Sequence, residues 1–273
     1  MKHLLIIFAI LVLLAFVPKQ DKRAAFFPRV IEKVEKAPDK NKVWAFVLAG
    51  QSNMAGRGLV EAQDTVSNRR ILTINAEGQL IYAKEPLHFY EPSMAGLDCG
   101  LSFGKTLLKD IPKDISILII PTAVGGSAIQ QWLGDSTYRG VRLLSNFTEK
   151  VQLAKKYGNI KGLLWHQGES DANRRSIPLY KERLSRLFTV FRKTVGNDAL
   201  PIIVGELGSY SNNKEEWSAI NQVIHEYSNE DPHTFVVQSG DLKNKGDHIH
   251  FDSEGQRKLG ERYAQAYLKQ IKK

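Results

Sequence analysis

The sequence predicts an α/β protein built on a parallel sheet with helices on both faces, and three observations predict it. Short apolar runs rich in β-branched residues recur between Gly, Pro and Asn, as buried strands require. Stretches of helical period lie between them, so strand and helix alternate along the chain. Polar clusters follow several strand-like runs directly, at what becomes the carboxyl edge of such a sheet, where ligands bind.

Strands are expected at 43–48 (Val43-Trp44-Ala45-Phe46-Val47-Leu48), 70–75, 116–121, 161–166, 201–206 and 234–238. Helices are expected at 102–110, 142–157, 177–195, 214–229 and 253–271. In the fourth helix Trp217, Ile220, Ile224 and Tyr227 keep helical spacing and read as core. In the last, Leu259, Tyr263, Ala266, Tyr267 and Ile271 do the same, with Ser253 and Gln256 at capping-box spacing. The chain has no internal repeat and no low-complexity segment.

With 273 residues, 42% hydrophobic and 25% charged, the chain suits one domain of about 230 residues behind a leader. Residues 1–18 read as a signal peptide or signal anchor, 19–42 as a linker containing Pro28 and Pro38, and 43–273 as the domain. Lys2 precedes 14 uninterrupted apolar residues, Leu4 to Val17. As a helix that run reaches about 21 Å against a hydrocarbon core of about 30 Å, which favours a cleaved export signal. No clean small-x-small cleavage site follows, so an uncleaved anchor stays open. The expected location is periplasmic, cell-surface or secreted, with membrane contact only through that N-terminal segment.

The formal charge of +9 is concentrated at the front. Residues 1–42 hold nine Lys/Arg against four Asp/Glu, leaving 29 against 25 and a net of about +4 for the domain. No basic cluster interleaves with aromatics, so nucleic acid is not an expected partner. Cys99 is the only cysteine, so no internal disulfide can form and stability must come from the core.

Ala49-Gly50-Gln51-Ser52-Asn53-Met54-Ala55-Gly56 follows directly on the first strand. A strand that stops at Gly50 and turns into a helix leaves the Ser52 hydroxyl at the sheet edge beside free backbone N–H groups, the setting of a nucleophile. The same placement suits a helix N-cap. A serine nucleophile needs a base, and the base needs an orienting group. Gly246-Asp247-His248-Ile249-His250-Phe251-Asp252 supplies both: Asp247 and His250 stand three apart, close enough to pair within one loop. His248 is an alternative base, or a metal ligand with His250, although no third ligand pattern accompanies them.

A second polar cluster ends the strand at 161–166: Trp165-His166-Gln167-Gly168-Glu169-Ser170-Asp171. Such side chains cost solvation unless they line a site or cap a helix. Gln167 can offer an amide N–H to an oxyanion, and Glu169 can hold another site residue or assist the histidine. Ser170 echoes a nucleophile elbow without its closing glycine. The third cluster, Thr122-Ala123-Val124-Gly125-Gly126-Ser127, offers the Gly125 N–H as an oxyanion donor, or simply a tight turn. Arg57, Trp132 and Tyr138 are candidates to meet a sugar; Trp132 can equally cover the sheet edge, and Arg57 can make a surface ion pair.

Gly50-Gln51-Ser52-Asn53-Met54, Gly125-Gly126-Ser127, Trp165-His166-Gln167-Gly168-Glu169-Ser170 and Asp247-x-x-His250 resemble, in this order, the blocks of the SGNH-type hydrolases. More narrowly they resemble the sialate O-acetylesterase and carbohydrate esterase family six branch, which includes acetyl xylan esterases. The likeness runs over about residues 43–270. It implies a flavodoxin-like three-layer α/β/α fold and cofactor-free hydrolysis of O-acetyl esters on sugars, with no metal. It further implies Ser52 as nucleophile, His250 as base and Asp247 as its acid, with Glu169 as the rival acid. The implied oxyanion donors are the N–H groups of Ser52 and Gly125 and the side chain of Gln167, which stands where the wider superfamily has an asparagine. Gln51 and Asn53, beside the serine, point to the sugar-esterase branch and, with Arg57 and Trp132, are the expected substrate-binding residues. An α/β-hydrolase is disfavoured because Met54 stands where the closing glycine of Gly-x-Ser-x-Gly would be. The alternatives are a lipid or thioester hydrolase of the wider superfamily and a carbohydrate-binding protein without turnover.

Overall fold

Residues 22–272 are described by the structure, a computed structural model. The central strand β1 (Val43–Gly50) leads into a single helical turn α1 (Ser52–Ala55), then β2 (Ile71–Ile74) and β3 (Leu80–Tyr82). Next come α2 (Gly100–Leu107), β4 (Ser116–Pro121), α3 (Ile129–Leu133) and a two-strand ribbon, β5 (Thr137–Tyr138) and β6 (Val141–Arg142). The second half runs α4 (Leu143–Tyr157), β7 (Asn159–His166), α5 (Ile177–Val195), β8 (Ile202–Gly205), α6 (Lys214–Glu230), β9 (Thr234–Val237) and α7 (Ser253–Ile271).

Seven strands form one sheet in the order β3-β2-β4-β1-β7-β8-β9, all parallel except β3, which runs antiparallel to β2. Side-chain alternation along each strand sets the layers. Val43, Ala45, Val47 and Ala49 of β1 pack with α3, α4, α5 and α6, whereas Phe46 and Leu48 pack with α2 and α7 on the other face. The first face holds an aromatic cluster in which Trp132 meets Trp165 edge-on at 5.6 Å and Phe191 at 6.0 Å. Such pairs add to the free energy of burying large rings.

The six strands and five long helices expected from the sequence are present, with ends shifted by a few residues. The departures are short elements: β3, with three residues, and the β5–β6 ribbon carry too little pattern to be read. One cap also differs. Asp252 is the N-cap of α7, its Oδ1 accepting from Gly255 N at 2.7 Å, while the Ser253 hydroxyl donates to Leu59 O. Gln256 is thereby released from a capping box and donates instead to Asn53 O at 2.9 Å.

The stretch expected as a linker is attached where it is described. Val34 N donates to Leu80 O and Tyr82 N to Glu32 O, so residues 32–34 cover the free edge of β3. The expected signal at 1–18 lies outside the described residues. Among those described, no helix is long and apolar enough to cross a membrane.

Chain order places the site. The chain passes from β1 to helix α2 on one face, and from its neighbours β4 and β7 to helices on the other, so a crevice opens at the carboxyl end of β1.

Candidate active site

The end of β1 is forced into an abrupt turn. Gly50 has φ +135°, and a Cβ there would sit 2.1 Å from His166 O, so only glycine fits between β1 and β7. Gln51 N donates to His166 O at 2.9 Å, and Gln51 is the N-cap residue of α1. Ser52 is therefore the first residue of the helical turn and not its cap. Its N–H has no acceptor among the described residues, and its side chain reaches the cavity at the sheet edge.

The loop before α7 brings a histidine to that hydroxyl. His250 Nε2 lies 2.9 Å from Ser52 Oγ, and His250 Nδ1 lies 2.8 Å from Asp247 Oδ2. Asp247 Oδ1 also accepts from the N–H groups of His250 and Ile249, closing the loop on itself. Burial pushes the Asp247 carboxyl up, but the hydrogen bonds from the His250 ring and from these two N–H groups outweigh it and hold the pKa at about 2. Burial pushes the His250 imidazole below its ordinary range; Asp247 opposes this, and the charges of Lys245 and Arg57 add to the lowering. A neutral imidazole donating from Nδ1 to Asp247 presents its Nε2 lone pair to the serine proton. His248 faces elsewhere: it is exposed, and its Nδ1 lies 3.2 Å from Tyr210 O.

Asn53, next to the serine, pins the histidine loop. Its Nδ2 donates to Ile249 O at 3.1 Å, and its Oδ1 accepts from Phe251 N at 3.0 Å, one contact on each side of His250. The same Nδ2 donates to Glu169 Oε1 at 2.7 Å. Glu169 thus bears on the histidine through Asn53, and Asp247 bears on it directly. Expected as a substrate-binding residue, Asn53 has its side chain fully committed to the protein.

Gln167 is not placed to donate to an oxyanion. It is fully buried, and its Nε2 is directed at Asp171 Oδ2 (2.7 Å), Gln51 Oε1 (3.1 Å) and Ser127 O (3.2 Å). Three acceptors around one nitrogen fix the amide orientation. The side chain ties together the loops after β1, β4 and β7. Gln51, expected to meet substrate, lines the cavity but spends its Oε1 on Gln167 and on Ser170 N.

Two further expectations are corrected. Trp132 has no exposed surface; its Nε1 donates to Ser127 Oγ at 2.9 Å and its ring belongs to the core, so it cannot stack on a sugar. The Gly125 N–H donates to Glu91 Oε2 at 2.6 Å, so a carboxylate already holds it. Glu91 also binds Arg57 Nη2 at 2.8 Å and pairs with Arg139. Burial pushes the Glu91 carboxyl up, but Arg57, the Gly125 N–H and Arg139 together bring it below the ordinary range.

The cavity beside Ser52 measures about 300 Å³ and is lined by Gln51, Ser52, Arg57, Met94, Gly125, Gly126, Arg139, Glu169, Ser170, Ile249 and His250. Glu91, Met94 and Arg139 were missed in the sequence. Glu91 and Met94 sit in an irregular loop with no periodicity; the turn at Arg139-Gly140 was the one readable signal for the ribbon that carries Arg139. A larger groove, about 960 Å³, follows edge strand β9 away from Ser52.

A three-layer α/β sheet with a serine, a histidine and an aspartate aligned at its carboxyl edge is the make-up of an SGNH-type hydrolase. The family described as carbohydrate esterase, sialic acid-specific acetylesterase matches residues 42–269, and the chain belongs to it. Its activity class is accordingly that of the carbohydrate acetylesterases, which are carboxylic ester hydrolases. An Arabidopsis thaliana protein named probable carbohydrate esterase At4g34215 is 30% identical over 245 residues, covering 82% of this chain and 89% of its own. The crystal structure of that Arabidopsis protein superposes with a TM-score of 0.73 at 28% identity, covering 83% of this chain and 98% of its own. Two more distant structures share the fold. NanS superposes with a TM-score of 0.69 at 19% identity, covering 87% of this chain and 99% of its own. XAC1771, described as a novel carbohydrate acetylesterase from Xanthomonas citri, does so with a TM-score of 0.61 at 20% identity, covering 82% and 55%.

Proposed function

We propose that this chain removes acetyl groups from sugar hydroxyls through an acetyl-Ser52 intermediate. One observation carries the reading: the line from Asp247 Oδ2 to His250 Nδ1 at 2.8 Å and from His250 Nε2 to Ser52 Oγ at 2.9 Å. His250 takes the Ser52 proton as Oγ attacks the acetyl carbonyl, and Asp247 stabilises the imidazolium that forms. Collapse of the tetrahedral adduct expels the sugar oxygen, which takes the proton back from His250. Water, deprotonated by His250, then frees acetate. The uncommitted Ser52 N–H is one donor to the oxyanion.

The substrates are acetylated xylan, other acetylated glycans or O-acetyl sialic acid. The apolar run at 4–17 supports export of the enzyme to where such glycans lie. The test is acetate release from a panel of acetylated glycans, with long-chain acyl esters and thioesters alongside. Acetate release that Ser52→Ala abolishes is expected. Turnover surviving in Ser52→Ala, or a preference for long acyl chains, overturns the reading.

A further inference from the structure

We infer that the guanidinium of Arg57, and not the N–H of Gly125, is the second donor to the oxyanion, and that Glu91 is the positioning residue that holds it there. The inference rests on Ser52 as the nucleophile. It starts from a conflict between two needs. An oxyanion hole needs donors left free for the carbonyl oxygen, yet the Gly125 N–H is spent on Glu91 Oε2 at 2.6 Å and the Gln167 amide is turned into the protein. Only the Ser52 N–H is left on the backbone.

Glu91 is not built to move aside. Its side chain is 5% exposed, Oε2 receives both Gly125 N and Arg57 Nη2, and Oε1 receives Arg139. Its backbone carbonyl accepts from Met94 N and Ala95 N, and the neighbouring Tyr90 hydroxyl is anchored on Pro121 O. What this arrangement fixes is Arg57, whose side chain is 6% exposed and whose Nη1 donates to Gly56 O at 2.8 Å. Its other N–H groups find no acceptor among the described residues, and Arg57 lines the same cavity as Ser52 and His250. A Cβ on Gly125 would lie 2.1 Å from Arg57 Nη2, so glycine is required there for the guanidinium to approach, in addition to any turn.

In the attack step the Ser52 Oγ–carbon bond forms, the carbonyl π pair moves onto oxygen, and the serine proton passes to His250. The negative charge created on that oxygen is then met by a cation already paid for by a buried partner. A preorganised donor costs no reorganisation at the moment of reaction.

The test uses the full chain with a neutral aryl acetate and a carboxylate-bearing acetyl sugar. Arg57→Ala is expected to lower kcat by about 10²–10³ on both esters with KM little changed, the size of a lost oxyanion donor, and added guanidinium is expected to restore part of it. Because Arg57→Ala leaves Glu91 short of a partner, Glu91→Gln is the second variant; it keeps the acceptor for Gly125 N but weakens the hold on Arg57, and kcat is expected to fall by about tenfold. A loss confined to KM or to the carboxylate-bearing ester makes Arg57 a substrate anchor and overturns the inference. A rise in kcat in Glu91→Gln also overturns it, since Glu91 would then be masking a Gly125 donor. Ser52→Ala separates the two levels: if it is inactive while Arg57→Ala is unimpaired, only the role of Arg57 fails.

Discussion

Asn53 Nδ2 donates to Glu169 Oε1 at 2.7 Å, and the same Asn53 side chain holds the backbone on both sides of His250. The glutamate of the His-Gln-Gly-Glu block and the aspartate of the Asp-x-x-His block therefore act on one imidazole by different routes. Asp247 sets its protonation state, and Glu169 sets its position. The carboxylate that touches the ring is Asp247.

Asn53→Ala should lower kcat by about 10- to 100-fold, the usual cost of losing an orienting partner. Glu169→Ala should act in the same direction, and the double variant should be little worse than Asn53→Ala alone, because both remove one linkage. Steady-state kinetics on an aryl acetate decides this. A Glu169→Ala loss equal to that of Asp247→Ala, and additive with Asn53→Ala, would make Glu169 an independent acid.

The His250 imidazole titrates below its ordinary 6.5, and Lys245 and Arg57 are among the causes. Since the neutral ring is the base, kcat/KM should climb with pH and level off below that value. Removing a nearby positive charge makes the imidazolium easier to form and raises the pKa. Lys245→Met should thus move the acid limb to higher pH, read from a pH–rate profile. A limb that stays or moves down would separate Lys245 from the histidine.

Gln167→Ala should show first in stability. Its buried amide satisfies Asp171, Gln51 and Ser127, and stranding buried partners costs about 1–3 kcal/mol. Urea titration measures it. Unchanged stability with a kcat loss of about 10²–10³ would return Gln167 to the oxyanion.

Trp132→Ala should cost about 3–5 kcal/mol as a core truncation, with KM for acetylated sugars unaltered in the folded fraction. A raised KM at unchanged stability would make Trp132 a sugar platform.

Glu85 is fully buried, and desolvation, then the Asp98 charge, push its carboxyl well above the ordinary range. The folded state keeps this proton where the unfolded chain has lost it, so the stabilisation is present below the ordinary carboxylate pKa of 4.5 and lost as pH rises toward the folded value. Glu85→Gln cannot ionise, so its stability relative to the native chain should increase between about pH 5 and about pH 8 in urea titrations. A constant difference would mean that Glu85 is already ionised.

The serine at the end of the first strand, the Asp-x-x-His pair and the polar cluster after Trp165 were legible because local chemistry marks them. Apolar strands ending in polar residues announce an edge, and a carboxylate three residues from a histidine can pair with it inside one loop. The long helices were legible for the same reason, as Trp217, Ile220, Ile224 and Tyr227 illustrate. Glu91 was not legible: it lies in a loop without period, and its partners Arg57, Gly125 and Arg139 are 34, 34 and 48 residues away.

By itself, then, the sequence determined the alternation of strands and helices, the core stripes and the identity of the reacting side chains, all of which depend on neighbours a few residues apart. Only the tertiary structure decided which polar atoms remain free. Gln167 and Gly125 look like donors in the sequence, but a hydrogen bond is exclusive, and the acceptors that claim them arrive from distant loops. The same packing that buries Trp132 in the core leaves the N–H groups of Ser52 and Arg57 uncommitted where the acyl oxygen must go.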